Sequence, residues 1–450
     1  PASAIAAVVH YNIQEGLVKV DRTGKLVPWL AERWHTTDNL NYTFYLKKGV
    51  RFHNGRELTA SDVKFVLDRA MNPETKHPHG KHYENIASIH VRDDSTVTIT
   101  LKKIDASFLL TLARQGSVIY PREAAESLKS HPVGTGPFVF SEWVRGDRII
   151  LVKNRDYHVK GLPRLDRVVF RFIPDPNSAL AALRAGDVNV LAFGIGPEAV
   201  PDIKKDPGFQ VIQGETTNDV ILAMNNSKKP FSDVRVRRAI TMAVDKDEVV
   251  RGAMFGFGRP IGSNIDPLNP YFVDLAKAVP FDPARAKRLL AEAGYSGGFD
   301  AVLKVPPQYY YTVRSGEVIA GQLAKVGIRV KIEQIEWGQW LARVYKDADY
   351  DMTIIGHAEP WDIGNYANPA YYFRYDSKRF QETFRRAEAT LNEKERKALY
   401  AQLQRILVED APVVFLFVHP RLVAAKRGVR GIWRDLPIPS VDLSEIYWAK

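Results

Sequence analysis

From Leu165 onward the apolar pattern keeps changing period, from two to between three and four and back again. That alternation of strand and helix is the strongest constraint on the fold. Leu165–Ile173 alternates as a strand. Asn177–Gly186 follows with helical spacing, an Asn or Ser at its start and a Gly at its end. Val234–Ala243 and Pro283–Ala293 carry helical periodicity, the second with Pro at an early helical position and Gly294 placed for a left-handed cap. Ser315–Val326 predicts a further helix, closed by Gly327, with the apolar strand Ile328–Ile332 behind it. Strand, helix, strand gives an α/β class. A chain of 450 residues is too long for one hydrophobic core, which rarely grows past roughly 250 to 300 residues, so at least two lobes with a cleft between them are expected.

The first third is richer in strands. Tyr11–Val20 and the turn Asp21–Gly24 read as a hairpin, with Gly supplying positive φ. Tyr42–Leu46 and Thr96–Leu101 alternate as half-buried strands. Between them Thr59-Ala-Ser61-Asp62 is a capping sequence, and Val63, Val66 and Leu67 continue one helical face. Val139–Trp143 and Arg148–Val152 predict a hairpin after Gly134-Thr-Gly136.

Composition removes several functions. Lys and Arg exceed Asp and Glu by 63 − 52 = 11, but the charges are interleaved and form no basic run, so nucleic-acid binding has little support. With no cysteine, disulfides, thiolate metal sites and cysteine nucleophiles are excluded, which suits an oxidising compartment such as a bacterial envelope. No stretch reaches the roughly 18 apolar residues of a membrane span, so a soluble chain is expected. Pro1–Val9 is apolar but lacks a charged leader and is too short for a complete signal peptide. There is no fixed-period repeat and no low-complexity tract.

Several segments, in this order and spacing, resemble the extracellular solute-binding proteins of family 5, the receptors for peptide, opine and nickel importers of the ABC type. They are Glu15-Gly-Leu17, Leu26–Trp34, Phe44–Gly55 with Leu58–Val63, Val133–Phe138, Pro230–Ile240 with Ala243-Val-Asp245, and Asp282–Gly294. The resemblance implies a two-lobed, periplasmic-binding-protein-like α/β fold of type II, cluster C-like, with an inserted β-rich subdomain and two hinge strands. By analogy the first lobe takes residues 1–15, 134–223 and 420–450, the insertion 16–133, and the second lobe 224–419, with Asn225 and His419 near the hinges. Members usually carry a signal peptide and a first strand ahead of the segment matching Tyr11, so the first lobe's sheet is expected to be incomplete.

The ligand loop departs from the family. Peptide-binding relatives commonly have Gly-Trp followed by Asp and Pro, with the Asp pairing to the peptide's α-ammonium; here the stretch is Gly356-His-Ala-Glu-Pro-Trp-Asp-Ile-Gly-Asn-Tyr-Ala-Asn-Pro369. The carboxylate is then Glu359 or, with a two-residue shift, Asp362. An enclosed ligand loses its water, so a fixed opposite charge suits it, although a loop Asp also serves plain turn geometry. Trp361 and His357 flank the carboxylates, as a flat wall or as core filling. Arg314 is the candidate for a ligand carboxylate, because its planar fork makes paired bonds; a solvated helix-start Arg is the alternative. Tyr309, Tyr310 and Tyr311 line the pocket or pack a core.

Other patterns carry less. His77, His79 and His82, with His53 elsewhere, lack the spacing of a metal site. Gly134-Thr-Gly136 lacks a following Lys-Ser or Lys-Thr, so a tight turn is expected rather than a phosphate loop. Asp347, Asp349 and Asp351 lack the Gly and terminal Glu of an EF-hand and predict a strand-edge turn. No nucleophile elbow, dinucleotide fingerprint or spaced acid/base pair is present. No cofactor and no resident metal are expected.

The expected function is the substrate-binding component of an ABC import system. It captures a small solute, a short peptide first, by hinge closure and delivers it to the inner-membrane permease. An opine or sugar-amino-acid conjugate is the alternative, then a nickel chelate; a cleft peptide hydrolase is the rival of another class. The chain is expected to be a monomer in the periplasm, or lipid-anchored at the outer face of the membrane in a Gram-positive host.

Overall fold

The computed structural model describes residues 8–114, 116–193, 195–359 and 361–449. The opening Pro1–Ala7, part of the apolar start, and Pro360 of the ligand loop lie outside them. The chain forms two compact units, residues 1–214 with 421–450, and residues 215–420. It passes between them at 214–215 and again at 420–421, beside His419.

The first unit contains the expected hairpin, Val18–Val20 with Leu26–Pro28, turned at Gly24 with φ +81°. A four-stranded antiparallel sheet follows, built from β1 (Ala31–His35), β2 (Asn41–Leu46), β3 (Ile86–Asp93) and β4 (Thr96–Leu101) in the order β1-β2-β4-β3. Helix α1 (Ala60–Met71) starts with a capping box, in which Asp62 accepts from the amide of Thr59. Its Val63, Val66 and Leu67 pack with Tyr42, Phe44, Val97 and Ile99 of the sheet in one core. A second antiparallel sheet joins β5 (Phe138–Val144), β6 (Arg148–Lys153) and β7 (Arg167–Arg171). A third joins Val190–Leu191, Arg421–Lys426 and Phe209–Gly214. Helix α2 (Pro176–Ala185) ends as expected at Gly186, but its cap is Asp175, which accepts from Ser178 N; the expected Asn or Ser cap falls inside the helix.

Gly134 and Gly136 mark a close approach of two chain segments rather than a free-standing turn. The amides of Gly136 and Phe138 donate to Ile13 O and Asn12 O, and a Cβ on Gly134 would stand 2.3 Å from Ile13 O. This crossing also encloses Glu15, whose carboxylate accepts from Thr135 Oγ1, Tyr157 OH and His158 Nε2, each at 2.8 Å.

The second unit is a three-layer α/β body around a six-stranded sheet. Its strands are β8 (Asp219–Met224), β9 (Arg259–Pro260), β10 (Phe299–Val305), β11 (Ile328–Gln334), β12 (Met352–His357) and β13 (Val413–Val418), in the order β9-β13-β8-β12-β10-β11. β8 runs antiparallel to β12 and β13, while β10 is parallel to β11 and β12. Every residue of β8 is buried, because its period of two feeds two cores. Val220, Leu222 and Met224 enter one with helices α3 (Val234–Ala243), α4 (Lys246–Met254), α5 (Pro283–Glu292) and α6 (Tyr310–Ala324). Ile221 and Ala223 enter the other with α7 (Lys378–Ala389), α8 (Glu393–Asp410) and an aromatic cluster. Helix α6 begins at Tyr310, five residues before the expected Ser315, so Tyr310 and Tyr311 are helical. Of the three acids expected in a strand-edge turn, Asp347 lies in a turn, while Asp349 and Asp351 follow it outside helix and strand just ahead of β12 and are held by cations, Asp349 by Arg343 and Lys304 and Asp351 by Lys228.

Gly134→Ala should lower stability by about 1–3 kcal/mol, the range for overpacking a site that cannot relax. Gly297→Ala, where an added Cβ meets nothing within 4 Å, should stay within about 0.5 kcal/mol. Urea unfolding of both variants checks this; equal midpoints would remove the steric account.

Candidate functional site

Antiparallel partners share a sheet face, and Asp219 at the start of β8 faces His357 at the end of β12. Both follow the parity of Ile221 and Ile355, so both side chains fall on the aromatic side of the sheet. The chain then leaves β12 through the loop of Glu359, Trp361 and a 3-10 turn at Asp362–Ala367, which returns Asp362 to His357. His357 Nδ1 lies 3.1 Å from Asp362 Oδ2, and its Nε2 lies 3.0 Å from the hydroxyl of Tyr372. Asn264 Nδ2 donates to Asp362 Oδ1 at 3.2 Å, and Asn365 Nδ2 to Oδ2 at 3.4 Å. Asp219, His357 and Asp362 bring ligand-type atoms within 4.8 Å of one another, the one such group among the described residues.

The charge of this corner is uncompensated. Asp219 is buried and its Oδ2 has no hydrogen-bond partner among the described residues. Burial first, then the nearby carboxylates of Asp362 and Asp266, hold its pKa well above the usual value. Burial likewise pushes Asp266 up to about 7. Among the described residues no Lys or Arg forms an ion pair with Asp219, Asp266 or Asp362. A cation supplied from outside would therefore find a desolvated group of carboxyls whose ionised form it stabilises.

The sequence candidates separate. Asp362 and His357 meet directly. Trp361 stands beside them with φ +67° and packs edge-to-face on Tyr271 at 5.5 Å, a wall joined to the aromatic core. Glu359 is in the same loop but exposed. Tyr311 is buried in the core across the sheet, with its hydroxyl reaching the backbone of Gly356. Tyr310 packs against Tyr311 and His419, and Tyr309 against Trp337. Arg314 lies over the rings of Tyr310 and Phe255 at 5.2 and 5.5 Å. The structure thus groups His357, Trp361 and Asp362, and gives the Tyr309–Arg314 segment separate aromatic contacts. His79 stacks on His82 and meets His77 edge-to-face, and His53 bonds Gly136 O.

Sequence reasoning missed Asp219, Asp266, Asn264 and Tyr372. One signal existed: Asp219 opens the otherwise apolar run Val220–Met224, an acid at the mouth of a strand buried on both faces.

Comparison with known proteins now has a site to attach to. Residues 25–379 match the model of the bacterial extracellular solute-binding proteins, family 5, and the chain belongs to that family. It is, accordingly, of the class that serves as the substrate-binding component of ABC import systems. It is similar to heme-binding protein A of Haemophilus influenzae, with 32% identity over 86% of this chain and 77% of the relative. Among solved structures it resembles the ABC transporter-associated periplasmic binding protein DppA of Helicobacter pylori, in complex with the peptide STSA. The TM-score is 0.88 and the identity 29%, over 99% of this chain and 94% of the other. The periplasmic binding protein AgaA of A. tumefacien R10, in complex with agropinic acid, gives a TM-score of 0.86 and 29% identity over 100% and 95%. The fold is that of the family's periplasmic binding proteins.

Asp266→Asn should flatten the pH dependence of stability. A carboxyl whose folded pKa, about 7, lies above its unfolded value holds its proton more tightly when folded, so stability falls as pH rises through the interval between them and levels off above 7. Melting temperatures of both proteins between pH 4 and 8 should converge at the acid end and diverge, with the variant higher, toward pH 8. Parallel curves would remove the buried-charge assignment.

Proposed function

We propose that this protein captures a short peptide with a free amino terminus, with Asp362 as the principal partner of the α-ammonium and Glu359 as the exposed carboxylate at the loop. The observation that carries the reading is the buried acidic corner without a Lys or Arg ion-pair partner among the described residues. A carboxylate accepts up to about four hydrogen bonds, and Asn264, His357 and Asn365 leave Asp362 room for an ammonium donor. Trp361 offers a rigid ring beside it. A heme presents carboxylates and no ammonium, so this corner favours the peptide over the ligand named for the Haemophilus relative. The similarity to a peptide-bound DppA supports the same choice, and an opine carrying a protonated amine is the alternative that the AgaA likeness supports.

Arg314 is proposed for the ligand's carboxylate, because a guanidinium held over Tyr310 and Phe255 has lost part of its conformational freedom in advance. The protein acts as a non-enzymatic monomer that hands its ligand to a membrane permease and contacts no nucleic acid. Its proposed location is the periplasm, or the outer face of the membrane under a lipid anchor. No helix among the described residues is long and apolar enough to cross a membrane.

Calorimetry with free-amino and N-acetylated di- and tripeptides tests the reading. Asp362→Asn combined with Glu359→Gln should weaken the free-amino peptides by at least ~30-fold, the lower end of losing one partner of a desolvated charge pair. Unchanged affinity sinks the ion-pair assignment. Arg314→Ala should weaken peptide acids far more than their C-terminal amides, and equal losses would remove Arg314 from that role. Product analysis of the incubated peptides by mass spectrometry addresses the hydrolase alternative, since turnover without a permease would replace the receptor reading.

A further inference from the structure

Asp219 leaves a charge that one ammonium does not answer. A single monovalent cation neutralises one carboxylate, while Asp219 and Asp362 converge as two, and the Oδ2 of Asp219 is enclosed without a donor among the described residues. His357 stands between them, its Nδ1 3.1 Å from Asp362 Oδ2 and its Nε2 3.0 Å from the Tyr372 hydroxyl. A neutral imidazole offers a metal the lone pair of one nitrogen when its proton sits on the other, and the Tyr372 hydroxyl can accept from Nε2–H in that state. One neutral imidazole nitrogen and two carboxyl groups, once ionised, carry a total charge of −2, which a divalent cation balances.

The donor types narrow the ion. Calcium and magnesium take oxygen ligands, whereas an imidazole among carboxylates suits zinc and its first-row neighbours. With bonds of about 2.0–2.2 Å in a tetrahedral zinc site, neighbouring donors stand about 3.3–3.6 Å apart. The His357–Asp362 pair is already near that separation, and Asp219 brings a carboxylate oxygen within 4.8 Å of a donor atom on each. The outer contacts are of the kind that orient ligands, with Tyr372 behind His357, and Asn264 and Asn365 on Asp362. Three protein donors leave a fourth position open.

We propose that Asp219, His357 and Asp362 form a binding site for a divalent cation of the zinc type, on the same oxygens that an ammonium-bearing ligand would use. Metal binding stands on the geometry alone; the competition with a ligand rests on the peptide reading above.

The test is calorimetric titration of zinc chloride into the chelator-stripped full chain at pH 7.5, with cobalt(II) chloride as a second probe whose visible absorption reports a low-coordinate site. Wild type should take up one equivalent, and Asp219→Asn or His357→Gln should weaken it at least 100-fold. A His77→Gln/His79→Gln variant, which alters the other imidazole cluster, should bind zinc as wild type does. Asp219→Asn should also melt at a higher temperature, because it removes a buried uncompensated charge; lost zinc with gained stability separates ligation from misfolding. No uptake by wild type, or equal uptake by wild type and both site variants, overturns the proposal. A free-amino tripeptide titrated with and without zinc then separates the two readings. Mutual exclusion supports shared oxygens. Zinc binding with no peptide binding overturns the peptide reading alone, peptide binding with no zinc binding overturns the metal site alone, and independent binding of both overturns the shared oxygens.

Discussion

The second unit depends on one strand buried on both faces. Asp219–Met224 sits between β12 and β13, and its alternating side chains are the only route by which one short segment can belong to two cores at once. Apolar residues fill that role through Met224, and the strand is fixed in register by partners on both sides. At the other end the same register delivers an acid to a place where no water solvates it. A one-residue slip would move Asp219 to the opposite face and Val220 beside His357, so the sheet pairing and the acidic corner stand or fall together.

Two buried carboxylates show what such a corner means. Glu15 in the first unit is enclosed to the same degree, yet three donors from Thr135, Tyr157 and His158 complete it. It holds the crossing at Gly134 and Gly136 together and needs nothing further. Asp219 is enclosed with no donor on its Oδ2 among the described residues, beside a second carboxylate and a third at Asp266. A buried acid with its partners present is an internal fastening; a buried acid with its partners absent costs stability on its own and makes sense when something from outside completes it. The contrast within one chain is stronger than any comparison of burial values, because both acids face the same solvent and the same pH.

Much of the architecture was legible because the local signals are strong and agree with each other. The hairpin at Gly24, the capping box of α1, the Gly186 and Gly294 stops and the strand Ile328–Gln334 each follow from a residue type that tolerates few other conformations. The start of α6 was not legible: Tyr309–Tyr311 read as pocket lining or core ahead of a helix expected at Ser315, and packing of Tyr311 into the core under β10 and β12 accompanies the earlier start at Tyr310. The site divides the same way. Asp362, His357 and Trp361 are neighbours in sequence, so a loop motif found them. Asp219, Asn264 with Asp266, and Tyr372 reach the same corner from three other places in the chain, and a strand register and two loop returns, not spacing, bring them there.

That division bears on how one scaffold serves different ligands. The relatives named for heme, a peptide and agropinic acid share this fold at about the same identity, so the sheet and its two cores do not decide the ligand. What can vary without disturbing β8 is the loop after β12. Its residues are held mainly by side chains, by Asn264 on Asp362 and by Tyr271 against Trp361, while β8 and β12 are held by ladder hydrogen bonds. The ladder fixes where Asp219 and His357 stand, and the loop decides which third group meets them. In this chain the third group is another carboxylate, which makes the corner the seat for positive charge proposed above.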